Sequence, residues 1–449
     1  MPDPTPTLLR FVPEGGLEGA GLSPQQQAWA GAHGFTGQRG RLIAMPDAEG
    51  HVGLWLFGTG AEEGRSPFLA GIAGQNLPEG SYRLEGEYGD PTLAAIAFRL
   101  GAYRFDRYRE AKPGATLVLP EAADAGEVDR QVTAAVTARD LINTPANDLG
   151  PDALEQAVRD FARRNGMAIA VTVGEDLLSA NFPMIHAVGR ASAQAPRLAD
   201  LTWGDESHPK VTLVGKGVTF DTGGLDIKSA AGMLMMKKDM GGAANVLGLA
   251  HTIVSAGLPV RLRVLLPIVE NAIAGGAFRP GDVLRSRAGL TVEIGNTDAE
   301  GRLILADALT LADEEAPDLL IDMATLTGAA RIALGPDLPA IYSNDGAVAS
   351  GIAQAGAGVE DPLWPMPLWS NYDSQLNSKI ADMNNAGAGG FAGSVVAALF
   401  LKRFVKRARH WAHLDIFAWV NEARPGRPVG ATDQGIRAIY TYIRQRYGA

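Results

Sequence analysis

The sequence predicts an α/β protein of two domains: a small amino-terminal α/β domain and a larger carboxy-terminal domain with a central mixed, largely parallel sheet flanked by helices. Three observations predict it. Beyond residue 150, short apolar runs alternate with longer segments of helical periodicity, the pattern of a doubly wound sheet. Before residue 125 the chain is rich in Gly and Pro, and its apolar runs are short and loose. The length, 449 residues, also exceeds the roughly 150 residues usual for one domain.

Taken in order, Leu42–Met45 and Leu54–Phe57 are the clearest strand signals of the first 125 residues, which carry no assignable chemistry. From Ala123 to Asn143 the pattern turns helical, with Val128, Val132, Ala135, Val136 and Leu141 mostly at helical steps. Thr144-Pro145 stops it, because proline disfavours helix at the residue before it. Residues 126–150 therefore read as a connecting helix and linker between domains at 1–125 and 151–449. A second amphipathic helix covers 152–164, with Asp152 near its positive end. Buried parallel strands are predicted at Ala168–Val173, Val211–Val214, Val260–Pro267, Leu290–Ile294, Leu319–Met323 and His413–Ile416, with helices at 242–256, 302–314 and 394–407. In such a sheet, ligands sit in the crevice at the carboxyl ends of strands.

Composition excludes several classes. Forty basic residues against fifty acidic ones give a net charge of -10, the wrong sign for a general binder of nucleic acid or anionic membrane. Zero cysteines exclude a disulfide scaffold, thiolate metal sites and a cysteine nucleophile. MPDPTPTLLRFVPEGG shows no basic region followed by an apolar one, and no run approaches the roughly 18 apolar residues of a membrane helix. The expected compartment is the cytoplasm, with no membrane partner.

There is no G-x-S-x-G elbow, no HExxH and no phosphate-binding GxxxxGK[ST] loop. Residues 387–392 fit G-x-G-x-x-A, but they follow the polar stretch Asp382-Met383-Asn384-Asn385 rather than a strand, so close packing or a substrate-side loop explains them better. His410 and His413, three apart on a predicted strand, face opposite ways and read as core or interface residues.

Two segments stand apart. One runs from Val214 through Lys216, Asp221 and Lys228 to Met236-Lys-Lys-Asp-Met-Gly-Gly-Ala; the other is Asn296-Thr-Asp-Ala-Glu-Gly-Arg-Leu. Both follow apolar strands and set charged residues among glycines, where backbone can approach a ligand closely. Asp221, Asp239, Asp298 and Glu300 supply four carboxylates without histidine or cysteine, a donor set for Mg²⁺, Mn²⁺ or Zn²⁺. Two divalent ions would offset their repulsion and could ionise a bridging water. Taken singly, either segment could do no more than cap a helix, Asp298 and Glu300 before Arg302 or Asp239 before Met240, which would leave Lys216 and Lys228 as solvated surface lysines.

Together these residues resemble the leucyl aminopeptidase (cytosol aminopeptidase) family of dinuclear-metal peptidases. NTDAEGRL at 296–303 matches that family's signature octapeptide, and the VGKG, FDTGG and DMGGAA blocks around Lys216, Asp221, Lys228 and Asp239 match at the family's intervals. ARDLINTPAND at 138–148, DMATLTGA at 322–329 and WAHLDI at 411–416 extend the resemblance over roughly residues 130 to 445. The amino-terminal domain is variable in this family.

The resemblance implies two divalent metal ions, Mn²⁺ or Zn²⁺. A tighter site would be held by Lys216, Asp221, Asp239 and Glu300, and a more exchangeable one by Asp221, Asp298 and Glu300, with the Asp298 carbonyl contributing. Lys216 as a ligand comes from the resemblance alone and requires a neutral amine, which two dications and burial can produce. By the same resemblance, metal-bridged water attacks the scissile carbonyl, Lys228 stabilises the oxyanion, and Arg302 holds a bicarbonate that shuttles the proton. Met236, Thr325, Leu326 and Gly328 match family positions around the substrate, whose free N-terminal amine binds metal. Release of single N-terminal residues from peptides is implied, with leucine and other medium apolar side chains favoured because methionine adapts its shape.

One departure stands out: Ile227-Lys228-Ser229-Ala230-Ala231-Gly232 lacks the proline common after the family's catalytic lysine, which would stiffen the loop. Relatives assemble as homohexamers, so that state is expected. Some relatives bind DNA, but here the basic cluster Lys402, Arg403, Lys406, Arg407 and Arg409 reads as a solvated helix face, and nucleic acid is not an expected partner. A non-catalytic relative would have lost ligands; none is lost.

Overall fold

The computed structural model describes residues 5–47, 49–110 and 113–448. It divides into two compact units, Met1–Val136 with Val420–Gly430, and Thr137–Trp419 with Ala431–Ala449. The first holds a five-stranded sheet in the order 42–46, 52–60, 7–13, 80–86, 115–118, parallel except for its 42–46 edge. Leu42–Pro46 and Val52–Gly60 contain the two predicted runs. Helix Pro91–Ala102 starts where Pro91 presets the first turn and the Asp90 carboxylate accepts the Leu93 amide at 2.8 Å. Its Ala95, Phe98 and Leu100 join Phe11 and Phe57 in the core of this unit.

The second unit is built on a nine-stranded mixed sheet. Its centre is parallel, with His410–Asp415, Leu319–Ala324, Lys210–Gly215 and Arg261–Asn271 side by side. These strands are buried almost throughout, as strands covered by helices on both faces must be. Gly217–Asp221 pairs with the far end of Arg261–Asn271. Helices Gly241–Ser255, Gly301–Glu314 and Gly393–Lys402 follow strands, and the core gathers around Leu303, Leu309, Phe400 and Trp411.

Three expectations need correction. Ala168–Val173 is an antiparallel edge strand against Arg197–Trp203, with its outward residues exposed, so it is not a buried parallel strand. The run 290–294 contributes Thr291–Glu293 to a separate three-stranded sheet, where Asp382 Oδ2 accepts both the Thr291 amide (2.8 Å) and hydroxyl (2.7 Å). The helix expected over 394–407 ends at Lys402, because the buried Asp313 carboxylate gathers the amides of Lys406, Arg407 and Ala408. The basic cluster is therefore divided; Lys402, Lys406, Arg407 and Arg409 are exposed, and Arg403 pairs with Asp373 at 2.7 Å. His413 and His410 do face apart: His413 is fully buried against Asp322 (2.5 Å), and the partly exposed His410 meets Asp345 (2.8 Å).

Candidate active site

The carboxyl ends of the central strands open on a cavity of about 660 Å³. Lys216 and Asp221 stand where Lys210–Gly215 and Gly217–Asp221 end, Thr325 where Leu319–Ala324 ends, and Ile416 and Phe417 after His410–Asp415; all five line it. The crevice location expected of the fold is thus met. Lys228, Met236, Asp239, Asp298, Arg302, Leu326 and Gly328 line it too. Glu300, 1% exposed, is reached through Lys216.

The charged groups fall into two sets. Lys216 Nζ lies 2.8 Å from Asp239 Oδ2 and 2.9 Å from Glu300 Oε1, and donates to the Thr325 carbonyl at 3.0 Å. Lys228 Nζ lies 2.7 Å from Asp221 Oδ2 and contacts Asp298 Oδ1. Oxygens of Asp221, Asp298 and Glu300 fall within 4.8 Å of one another. Local sequence makes this possible. The Lys216 amide donates to Met323 O and its carbonyl accepts from Ala243 N, which clamps the residue between strand and helix. A Cβ at Gly242 would stand 2.1 Å from the Met323 carbonyl, and one at Gly301 would stand 2.7 Å from Lys216 Nζ, so the octapeptide's glycine leaves room for the lysine.

Electrostatics follow from burial. Glu300 is pushed up to about 8 by desolvation and by Asp221, Asp239 and Asp298 nearby. Desolvation and Asp221 raise Asp298 to about 6. Desolvation opposes the charge on Lys216, but Asp239, Glu300 and Asp221 outweigh it and raise its pKa; Asp221 and Asp298 do the same for Lys228. Burial lowers Arg302 to about 10 and Lys238 to about 8.

The residues fit divalent ions. Two lysine charges against four clustered carboxylates leave the group short of balance, and the buried Glu300 Oε2 has no hydrogen-bond partner. Helix capping does not account for these carboxylates: Glu300 makes no side-chain cap to Gly301–Glu314, and Met240, not Asp239, is the residue before Gly241–Ser255. Neither lysine is a solvated surface residue. Arg302 Nη1 donates to Asn385 O at 2.7 Å, while its buried Nε has no partner.

Sequence reasoning missed the supporting residues. Asn271 Nδ2 donates to Asp221 Oδ1 at 2.9 Å, orienting that carboxylate. Asn385, set aside within a polar stretch, accepts the Gly295 amide (2.8 Å) and donates to Asn296 O (2.7 Å), holding the octapeptide. Asp415 accepts the amides of Leu326 and Thr327 at 3.1 Å each. The signal available for all three was position, at or after a strand end; an isolated Asn or Asp there has many bland explanations.

The family model for the catalytic domain of the cytosol aminopeptidase family matches residues 136–440, and that for the M17 aminopeptidase N-terminal domain matches residues 16–120, where the sequence offered no motif. A probable cytosol aminopeptidase of Geobacter sp. (strain M21) is 42% identical over 370 residues, covering 78% of this chain and 75% of that protein. The crystal structure of a cytosol aminopeptidase from Coxiella burnetii superposes with a TM-score of 0.93 at 44% identity, covering 100% of this chain and 98% of that one. The bottromycin maturation enzyme BotP in complex with Mn gives a TM-score of 0.89 at 34% identity, over 98% and 99% of the two chains. With both domains matched and the strand-end cavity lined by the family's blocks, the chain belongs to the cytosol aminopeptidase family and is a metal-dependent exopeptidase of the aminopeptidase class.

Proposed function

We propose that the protein removes single N-terminal residues from peptides, using two divalent ions held by Lys216, Asp221, Asp239, Asp298 and Glu300. The observation that carries this reading is the convergence of Lys216, Asp221, Asp239 and Asp298 at one cavity with Glu300 against Lys216 beside it, and a buried Glu300 oxygen left unsatisfied. Lys216, Asp221, Asp239 and Glu300 would hold the tighter ion, and Asp221, Asp298 and Glu300 the other. The presence of Mn in the BotP structure supports Mn²⁺, and Zn²⁺ suits the same donors. Such ions supply Lewis-acid charge and make water nucleophilic near neutral pH.

The chain's own residues do the rest. Lys216 serves as a ligand only once its amine is neutral, so loading displaces a proton from it. Lys228, on the more open side, hydrogen-bonds the oxyanion that develops on the scissile carbonyl. Arg302, with its Nε free of protein partners, would hold a bicarbonate ion, which would supply a proton carrier beside the site. Met236, Thr325, Leu326 and Gly328 shape the pocket for the N-terminal side chain, where medium apolar groups fit. Residues 151–449 form the catalytic part, with 1–125 as the variable domain and 126–150 as the connection. The names of the relatives support a cytoplasmic place, and the family resemblance supports a homohexamer.

Hydrolysis of leucine p-nitroanilide by metal-stripped protein, with Mn²⁺ or Zn²⁺ restored, tests the reading. Activity should return with metal and be absent on the N-acetylated substrate; equal turnover of the acetylated compound would overturn it.

A further inference from the structure

We propose that Lys238 and Arg331 form a cationic end to the substrate pocket that takes the side-chain carboxylate of an N-terminal glutamate or aspartate. This rests on the aminopeptidase reading above and names a substrate class for it. The starting point is a contrast between neighbours. Lys237 donates to the Asn143 carbonyl at 2.6 Å and lies over the Trp419 ring. Lys238 is 5% exposed and lines the cavity, yet among the described residues its ammonium makes no ion pair and no hydrogen bond. The guanidinium of Arg331, exposed at the same cavity, makes none either.

Both cations lie over one ring, that of Phe417, at 4.7 Å for Lys238 Nζ and 4.8 Å for the Arg331 guanidinium carbon. A ring face offsets only part of what a buried ammonium loses with its water. The carboxylates nearest in charge are committed elsewhere. Asp239 serves Lys216 and the Thr325 hydroxyl, and Asp415 accepts from the amides of Leu326 and Thr327 and the hydroxyls of Thr327 and Ser394. Among the described residues no carboxylate is left to pair with Lys238, so a ligand could supply the counter-ion. Phe417 is itself fixed: Gln434 Oε1 accepts its amide at 2.9 Å and that of Ala418 at 2.8 Å, and Ala418 adopts a left-handed φ of 58°.

Lys238 follows Met236 by two residues and shares the cavity with Thr325, the residues proposed for the N-terminal side chain. Methionine and phenylalanine walls ending in two cations suit methylenes that end in a carboxylate.

The test compares kcat/KM for Glu-, Gln- and Leu-p-nitroanilide on metal-loaded protein. Glutamate should exceed its isostere glutamine by about tenfold or more, and Lys238→Met should erase that ratio. Arg331→Gln, at an exposed position that leaves folding intact, should lower it by about threefold. A wild-type ratio near one, or a ratio unmoved in both variants, overturns the proposal. If the variants instead change the ratio of Leu-Gly to Leu-Gly amide, the recognised carboxylate is C-terminal and the N-terminal assignment is wrong. Calorimetry with free L-glutamate and L-glutamine separates this from failure of the aminopeptidase reading. Tighter glutamate binding that Lys238→Met removes supports the anion site even without turnover, and equal binding overturns it.

Discussion

The two lysine–carboxylate sets at the strand ends differ in one respect, their access to water. Around Lys216 everything is enclosed, with Asp239 and Glu300 side chains 4% and 1% exposed. Around Lys228 the enclosure is incomplete, with Asp298 at 32%. Similar charges in unequal solvent do unequal work. On the proposed reading, the closed set would hold its cation with no quick route to exchange, while the open set would meet the substrate and trade its ion. An effective dielectric that falls with burial makes each charge count for more on the closed side.

The strongest way to break this comparison is to remove one of the two residues, Asp221 and Glu300, proposed to serve both sides. Glu300→Gln should empty both sites and lower kcat/KM by more than about a thousandfold; unchanged metal content by elemental analysis would refute the sharing. Next, Lys228→Met should reduce kcat by about a hundred- to a thousandfold with metals retained, and a change confined to KM would contradict the oxyanion role. Third, the sides should be separable. Asn271→Ala loosens Asp221, a proposed ligand of both ions, and should weaken both by about ten- to a hundredfold together. Gly301→Ala instead presses on Lys216 and should disturb the tighter ion first, as staged chelator release would reveal.

The smallest effect per step is in pH. In the metal-free site Glu300 keeps its proton up to about 8 and Asp298 up to about 6, and divalent ions require both to be ionised. Because the raised Lys216 must also lose its proton, metal affinity should fall with pH already above 8, more steeply below 8 and more steeply again below 6, by about tenfold per unit for each proton taken up. Calorimetric titrations in buffers of different ionisation heat would count those protons; release of no more than the single Lys216 proton near pH 7 would contradict the raised Glu300.

Much of the parallel core and the donor set was legible in the sequence because each has its own local signature. Val211–Val214 and Leu319–Met323 are unbroken apolar runs, and Asn296–Leu303 carries its chemistry in consecutive residues. What escaped depends on contacts distant in the chain. Nothing near residue 403 predicts that Asp313 will gather the amides of 406–408 and end a helix. The Gly- and Pro-rich first domain hid three of its five strands, at 7–13, 80–86 and 115–118, because their alternation is short and irregular. Nothing in the sequence marks Lys238 apart from its neighbour Lys237, since burial without a partner is a property of the assembled wall.

Ala418 gives the pocket a kind of rigidity that melting curves would overlook. A left-handed alanine costs about 1–2 kcal/mol. Ala418→Gly would relieve that but return about 0.4–1 kcal/mol as extra freedom of the unfolded chain, a net change on the order of 1 kcal/mol that would move the melting temperature only a little. The change would register instead in the Phe417 ring, whose plane would be free to rock, and discrimination between side chains would blur while the fold remained intact. If Phe417 selects the side chain as proposed, strain at one backbone position would act as a set-screw for selectivity, adjustable with little change in stability.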